Sequence, residues 1–264
     1  MMMSTYSTLT LQHAAGVATV TLNRPEVRNA FNETSIAELT TVFAALGTDD
    51  TVRAIVLAAE GVAFCAGADL NWMKQMAAYS DAENLADAGR LAIMLRTIYL
   101  CPKPVVASVQ GDCYAGGMGL VAVCDIAVAA DHVQFCLSEV KLGLIPATIS
   151  PYVIKAMGDN AARRYFLTAE RFDAADALRI GFVAQSVPAT TLDATVAGIV
   201  KALVSASPDA VREAKRLVRD IAGAPITDAL IADTAERIAM VRASTQGREG
   251  VQSFLEKRKP AWLA

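Results

Sequence analysis

Three short stretches of the chain hold residue types able to do chemistry together. One carboxylate, Glu139, stands in "QFCLSEVKLGLIP" (134–146) among Phe135, Leu137, Val140 and Leu142. A glutamate desolvated by such neighbours has its charged form disfavoured, which raises its pKa toward the range useful for moving protons near neutrality. On an exposed helix edge the same residue would be an ordinary solvated charge. "GDCYAGGMGLVAVCD" (111–125) sets the small residues Ala115, Gly116 and Gly117 ahead of an apolar helix, and "GVAFCAGADLNWMKQM" (61–76) sets Gly67 ahead of a helical pattern opened by Asp69. Small residues let the backbone approach a ligand closely, and the first N–H groups of a helix lack internal partners and carry partial positive charge. One such turn is explained by capping or packing alone. Two of them offer two N–H donors to one developing oxyanion.

The elements that must position these stretches follow from hydrophobic period. Residues 6–23 alternate in the strand manner and close on Asn-Arg-Pro, which predicts a hairpin. Ile36, Leu39, Val42, Phe43 and Leu46 recur at steps of three and four, and "RAIVLAAEG" follows as a short buried strand. Helix then strand recurs in "DAGRLAIMLRTIYLCPKPVVASVQG" and again over 117–130. Beyond about residue 195 the β signal ends, and three successive stretches between 193 and 244 read as amphipathic helices punctuated by Pro208 and Gly223. The expected organisation is an α/β core over 1–195 that carries the site and a helical region over 196–264. Helices of that length need a surface to pack on, the core or another subunit.

Composition narrows the function. The chain has 264 residues, enough to bury a sizeable core, with 54% hydrophobic and 19% charged residues. No uninterrupted apolar run nears the roughly 18 residues of a membrane span, so the expectation is a soluble, oligomeric protein with no membrane partner. The formal charge is −3 with basic residues scattered, which argues against a nucleic-acid partner. Five cysteines form no CxxC pair and two histidines stand alone, so neither a disulfide framework nor a metal site is expected. The opening residues lack a basic region followed by an apolar one, and a cytoplasmic location is expected.

"FCAGADL", "YAGGMGL..VCD", "QFCLSEVKLGLIP" and the closing "FLEKRKPAW", in this order and at this spacing, resemble the enoyl-CoA hydratase and isomerase (crotonase) superfamily, and the resemblance runs over nearly the whole chain. It implies a spiral of ββα units followed by a helical trimerisation region, assembled as a homotrimer or as stacked trimers in a hexamer. It implies an acyl-CoA substrate and no separate cofactor, coenzyme A being part of the substrate. The family's oxyanion hole falls on the backbone N–H groups of Ala68 and Gly116. Coenzyme A contacts fall on the loop from Ala66 through Asp69 and Leu70 to Asn71, aided by Arg28. Phe254 and Lys257 would reach a coenzyme A bound to a neighbouring subunit.

One departure bears on mechanism. Typical hydratases of the family use two glutamates, and the first belongs where this chain has Gly119; only the second is retained, as Glu139. A single carboxylate suffices for a double-bond isomerase that takes a proton from one carbon and returns it to another. Yet "FCAGADLNWMKQM" and "ARRYFLTAERFDA" resemble bacterial methylglutaconyl-CoA hydratases of leucine breakdown, which also have glycine at that position. Hydration of a C2=C3 bond is therefore the leading expectation and isomerisation the alternative. A non-catalytic coenzyme A ester binder would have no need of Glu139. The acyl pocket wall is expected over 72–95, with Trp72, Met73, Met76 and Met94, unless these are ordinary helix core.

Overall fold

The computed structural model describes residues 6–263, so the first five residues, read above as free of a secretory leader, lie outside the described chain. Strands β1 (Leu9–Ala14) and β2 (Val17–Leu22) form the expected hairpin, closed by Ala15 and Gly16 with φ of 49° and 78°. Two successive positive φ values match the twist that paired strands require of a two-residue turn. Helix α1 (Glu33–Thr48) follows, started by a capping box between Asn32 and Ser35 and burying Ile36, Leu39, Val42, Phe43 and Leu46 as its period predicts.

A repeated unit then builds the molecule. In each, one strand enters a large sheet, a three-residue strand enters a small sheet, and a helix or turn leaves. The first unit is β3 (Ala54–Ala59), β4 (Ala63–Cys65) and α2 (Leu70–Met76), continued by α3 (Asp81–Leu100). The second is β5 (Val105–Val109), β6 (Asp112–Tyr114) and α4 (Gly116–Ala122). The third is β7 (Ile126–Ala130), β8 (Gln134–Cys136), a 3-10 turn over Glu139–Leu142 and α5 (Ser150–Met157). The remaining core elements are α6 (Asp159–Thr168), β9 (Phe172–Asp173), α7 (Ala174–Arg179), β10 (Gln185–Val187) and α8 (Leu192–Ser205).

The large sheet runs β1-β2-β3-β5-β7-β10, parallel from β2 onward; the small one runs β4-β6-β8-β9, with β4, β6 and β8 parallel. Strands β5 and β7 read as continuous apolar runs because both faces of the large sheet are covered.

The division expected at 195/196 falls inside α8. Leu192, Val196 and Val200 of that helix are buried in the core, so it packs with the α/β body. Three further helices, α9 (Pro208–Ile221), α10 (Asp228–Ala243) and α11 (Thr245–Leu255), bury no apolar residue within this chain. They attach by polar bonds where the large-sheet strands begin. Lys215 of α9 donates to Asp125 Oδ2 at 2.7 Å and to the Lys103 carbonyl at 2.9 Å, and beyond α11 the Trp262 carbonyl accepts from Arg53 at 3.3 Å.

Candidate active site

Three neighbouring parallel strands, β4, β6 and β8, end side by side: Cys65 pairs with Cys113, Cys113 with Phe135 and Tyr114 with Cys136. The segments leaving these ends carry Ala68, Gly116 and Glu139, within three residues of their strands in each case. Loops at the carboxyl ends of parallel strands are where such sheets place ligands. The repeated unit thus brings Ala68, Gly116 and Glu139 to one edge.

The first two turns touch. Gly67 has φ +93°, a left-handed conformation that suits glycine, and a Cβ there would stand 3.0 Å from Ala115 Cβ, 3.4 Å from the Tyr114 carbonyl and 3.8 Å from the Gly116 nitrogen. Each turn is pinned from behind: Phe31 N–H donates to Gly67 O at 2.6 Å, Asp69 N–H to Phe31 O at 2.7 Å, and Ala115 N–H to Cys136 O at 2.8 Å. Neither Ala68 nor Gly116 donates its N–H to any acceptor among the described residues, and both residues are half-buried. Unpaired N–H donors on two adjoining turns are the kind of group that can receive an anion.

Glu139 opens the turn after β8. Gly143, at φ 72°, donates to the Glu139 and Val140 carbonyls to close that turn, and the Lys141 ammonium is anchored on the Ala169 carbonyl at 2.7 Å. Burial pushes the Glu139 carboxyl above its ordinary value, only partly offset by its own backbone N–H. Its Oε2 is buried without a hydrogen-bond partner among the described residues. Such an oxygen is costly unless something outside the chain completes it.

The other expected residues are distributed as follows. Ala66 donates to the Arg28 carbonyl at 3.0 Å, so the loop of Arg28 and the loop 66–71 are joined, and the exposed Arg28 side chain makes no ion pair among the described residues. Asp69 is spoken for. It caps α2 by accepting from Asn71 N–H at 2.8 Å and pairs with Arg24 at 2.8 Å. Burial pushes its carboxyl up, but Arg24 and the Asn71 N–H outweigh that and hold it below the usual range. Leu70 is 74% exposed, and Asn71 lines a polar recess of about 170 Å³ with Arg24, Asn32 and Trp72.

Trp72 and Met94 belong to the buried core, as the alternative reading of 72–95 expected, and Met73 and Met76 are half-buried. Phe254, 81% exposed, lies at the end of α11 and Lys257 just beyond it, and α11 packs against α9 and α10. Gly119 is buried inside α4 under Ile149 and does not line an open surface. Arg24, Lys141 and Ile149 escaped sequence reasoning, since each acts through a partner distant in the chain.

Among the described residues no group of three or more His, Cys, Asp or Glu side chains could hold a metal ion, and no single helix is long and apolar enough to cross a membrane.

Residues 12–264 match the family model for enoyl-CoA hydratase/isomerase. A crystal structure of an enoyl-CoA hydratase from Shewanella pealeana superposes with a TM-score of 0.94 at 42% identity, covering 97% of this chain and 96% of that one. An enoyl-CoA hydratase of Alternaria alternata is 35% identical over 91% of this chain and 78% of its own length. A mevalonyl-coenzyme A hydratase of Aspergillus fumigatus is 32% identical over 92% of this chain and 90% of its own. The unpaired N–H groups on two glycine turns, a glutamate whose Oε2 is buried and these likenesses together place the chain in the enoyl-CoA hydratase/isomerase family, with the crotonase-like fold its sequence resembles.

Proposed function

We propose that the protein hydrates the C2=C3 double bond of an enoyl-CoA thioester bearing a distal carboxylate, of the 3-methylglutaconyl-CoA kind met in leucine and isoprenoid breakdown. The observation that carries this reading is the combination of two unpaired N–H donors, Ala68 and Gly116, with one buried, unpartnered carboxylate oxygen on Glu139. The thioester oxygen accepts from both donors. Water attacks C3 as the Glu139 carboxylate takes its proton, and the π pair moves toward C2 and the thioester oxygen, where the donors stabilise the enolate charge. Glu139 then returns the proton to C2, and the net change is addition of one water. The substrate's distal carboxylate helps hold that water.

Coenzyme A enters as part of the substrate, along the 66–71 loop and Arg28, whose exposed guanidinium suits phosphate. The bare apolar faces of α9, α10 and α11, including Val218, Ile231, Met240 and Phe254, fit a contact with further copies of this chain. A homotrimer or hexamer would cover them and let Phe254 and Lys257 reach a neighbour's coenzyme A.

Isomerisation of a 3-enoyl ester is the second reading. It is favoured by the missing carboxylate at Gly119, since moving a proton from C2 to C4 needs only Glu139. A panel of crotonyl-, 3-enoyl- and 3-methylglutaconyl-CoA, read for both hydration and bond migration, tests the two against each other.

A further inference from the structure

Helix α4 opens with glycine at 116, 117 and 119, and the last of these meets a side chain 30 residues further on. A Cβ on Gly119 would stand 2.3 Å from Ile149 Cγ2 and 2.9 Å from Ile149 Cβ, with Leu95 Cδ2 at 3.5 Å. Ile149 is 2% exposed and Leu95 fully buried. Isoleucine branches at Cβ and is stiff at χ1, and the Ile149 Cβ itself, at 2.9 Å, moves only with the backbone. Its backbone is fixed as well, for Tyr152 and Val153 both donate to the Ile149 carbonyl where α5 begins. Gly119 has no positive φ, so its backbone would accept any residue but proline. Only the space is missing.

Position 119 lies one helical turn from Gly116, on the same face of α4, so a side chain there would project beside the unpaired Gly116 N–H. This is where the two-glutamate hydratases resembled by the sequence carry their first carboxylate. Here a branched hydrocarbon from the segment that follows the Glu139 turn fills it.

We propose that Ile149 is a specificity-determining residue: by occupying the side-chain space of position 119 it holds the site to one carboxylate, and so to substrates that bring their own polar group to the water. This rests on the hydratase reading above. A carboxylate forced in beside Ile149 would be buried in hydrocarbon, so Gly119→Glu alone is not expected to restore the second acid.

The test uses the full chain. Gly119→Ala in the natural background is expected to lower the unfolding midpoint by about 5 °C or more, the scale of overpacking in a chain of this size. In an Ile149→Leu background, where volume is kept but the γ2 carbon is gone, the same substitution is expected to cost less than half as much. Equal costs in the two backgrounds would overturn the proposal, and Ile149→Ala repeats the comparison should leucine itself repack. Gly119→Glu in the Ile149→Ala background is then expected to hydrate crotonyl-CoA at least tenfold faster than Ile149→Ala alone, with no gain in the natural background. A folded double variant without that gain would also overturn it. Should the natural protein isomerise a 3-enoyl ester and hydrate nothing, the hydratase reading fails, whereas the unfolding comparison is unaffected.

Discussion

Ala115 donates its backbone N–H to the carbonyl of Cys136 at 2.8 Å, and this bond ties the turn bearing the Gly116 donor to the strand that ends three residues before Glu139. Ala115 itself sits at φ 47° and ψ −122°, a conformation L-residues rarely adopt and one that persists only where its surroundings enforce it. The Gly116 turn and the segment that carries Glu139 are thereby held by one hydrogen-bonded frame. Several consequences can be measured.

Glu139→Gln is expected to reduce turnover on the order of 10³-fold while leaving coenzyme A ester binding within a few-fold, since the amide keeps the shape but cannot cycle a proton. Turnover at a tenth of the natural rate would assign the proton to another group.

The raised Glu139 pKa has two readouts with opposite slopes. Water activation needs the carboxylate, so kcat/KM is expected to fall with decreasing pH along a limb centred above the ordinary carboxylate value of 4.5. A folded-state pKa above the unfolded one means stability from this group is complete below the unfolded pKa and is lost as pH rises through the folded one. Glu139→Gln should therefore unfold at a higher temperature than the natural protein near neutrality, and the gain should shrink as pH falls toward the ordinary carboxylate range. A pH-independent difference would contradict the burial argument.

A methyl on Gly116 would meet Phe31 Cε2 at 2.9 Å, and Phe31 is 2% exposed. Gly116→Ala is expected to displace the donor and lower kcat on the order of 10²-fold, the scale of losing one oxyanion contact. Adding Phe31→Leu should recover part of that loss. Unchanged kinetics in a folded Gly116→Ala protein would remove Gly116 from the oxyanion site.

Asp69 separates stability from binding. Its carboxylate is committed to Arg24 and to the start of α2, so Asp69→Ala should cost about 2 kcal/mol or more through a lost cap and an unpaired Arg24. Arg28→Ala should instead weaken coenzyme A ester binding with little change in the unfolding midpoint. Reversal of these two effects would reassign the loop.

Helix α1 was legible residue by residue, because its five apolar positions at helical spacing are the ones it buries. Strands β4, β6 and β8 were not. Three residues hold no measurable period, and their sequences AFC, DCY and QFC differ in polarity because they are placed by the strands beside them. The turns after them were legible as glycine and a lone glutamate, whereas the edge they share came from the sheet. Asp69 showed its acid but not its partner, since Arg24 lies 45 residues away in sequence. Ile149 gave no sign at all. Its meaning lies in what it excludes from position 119, and exclusion leaves no trace in spacing or composition.

Hydration by one glutamate helped by the substrate's own carboxylate is tested most directly by kcat/KM for 3-methylglutaconyl-CoA against crotonyl-CoA on the natural protein. The two esters differ chiefly in the distal carboxylate. The carboxylated ester is expected to be hydrated at least tenfold faster, with both activities reduced on the order of 10³-fold in Glu139→Gln. Equal hydration of the two esters would contradict the role given to the substrate carboxylate, and migration of the double bond in a 3-enoyl ester without any hydration would make the protein an isomerase.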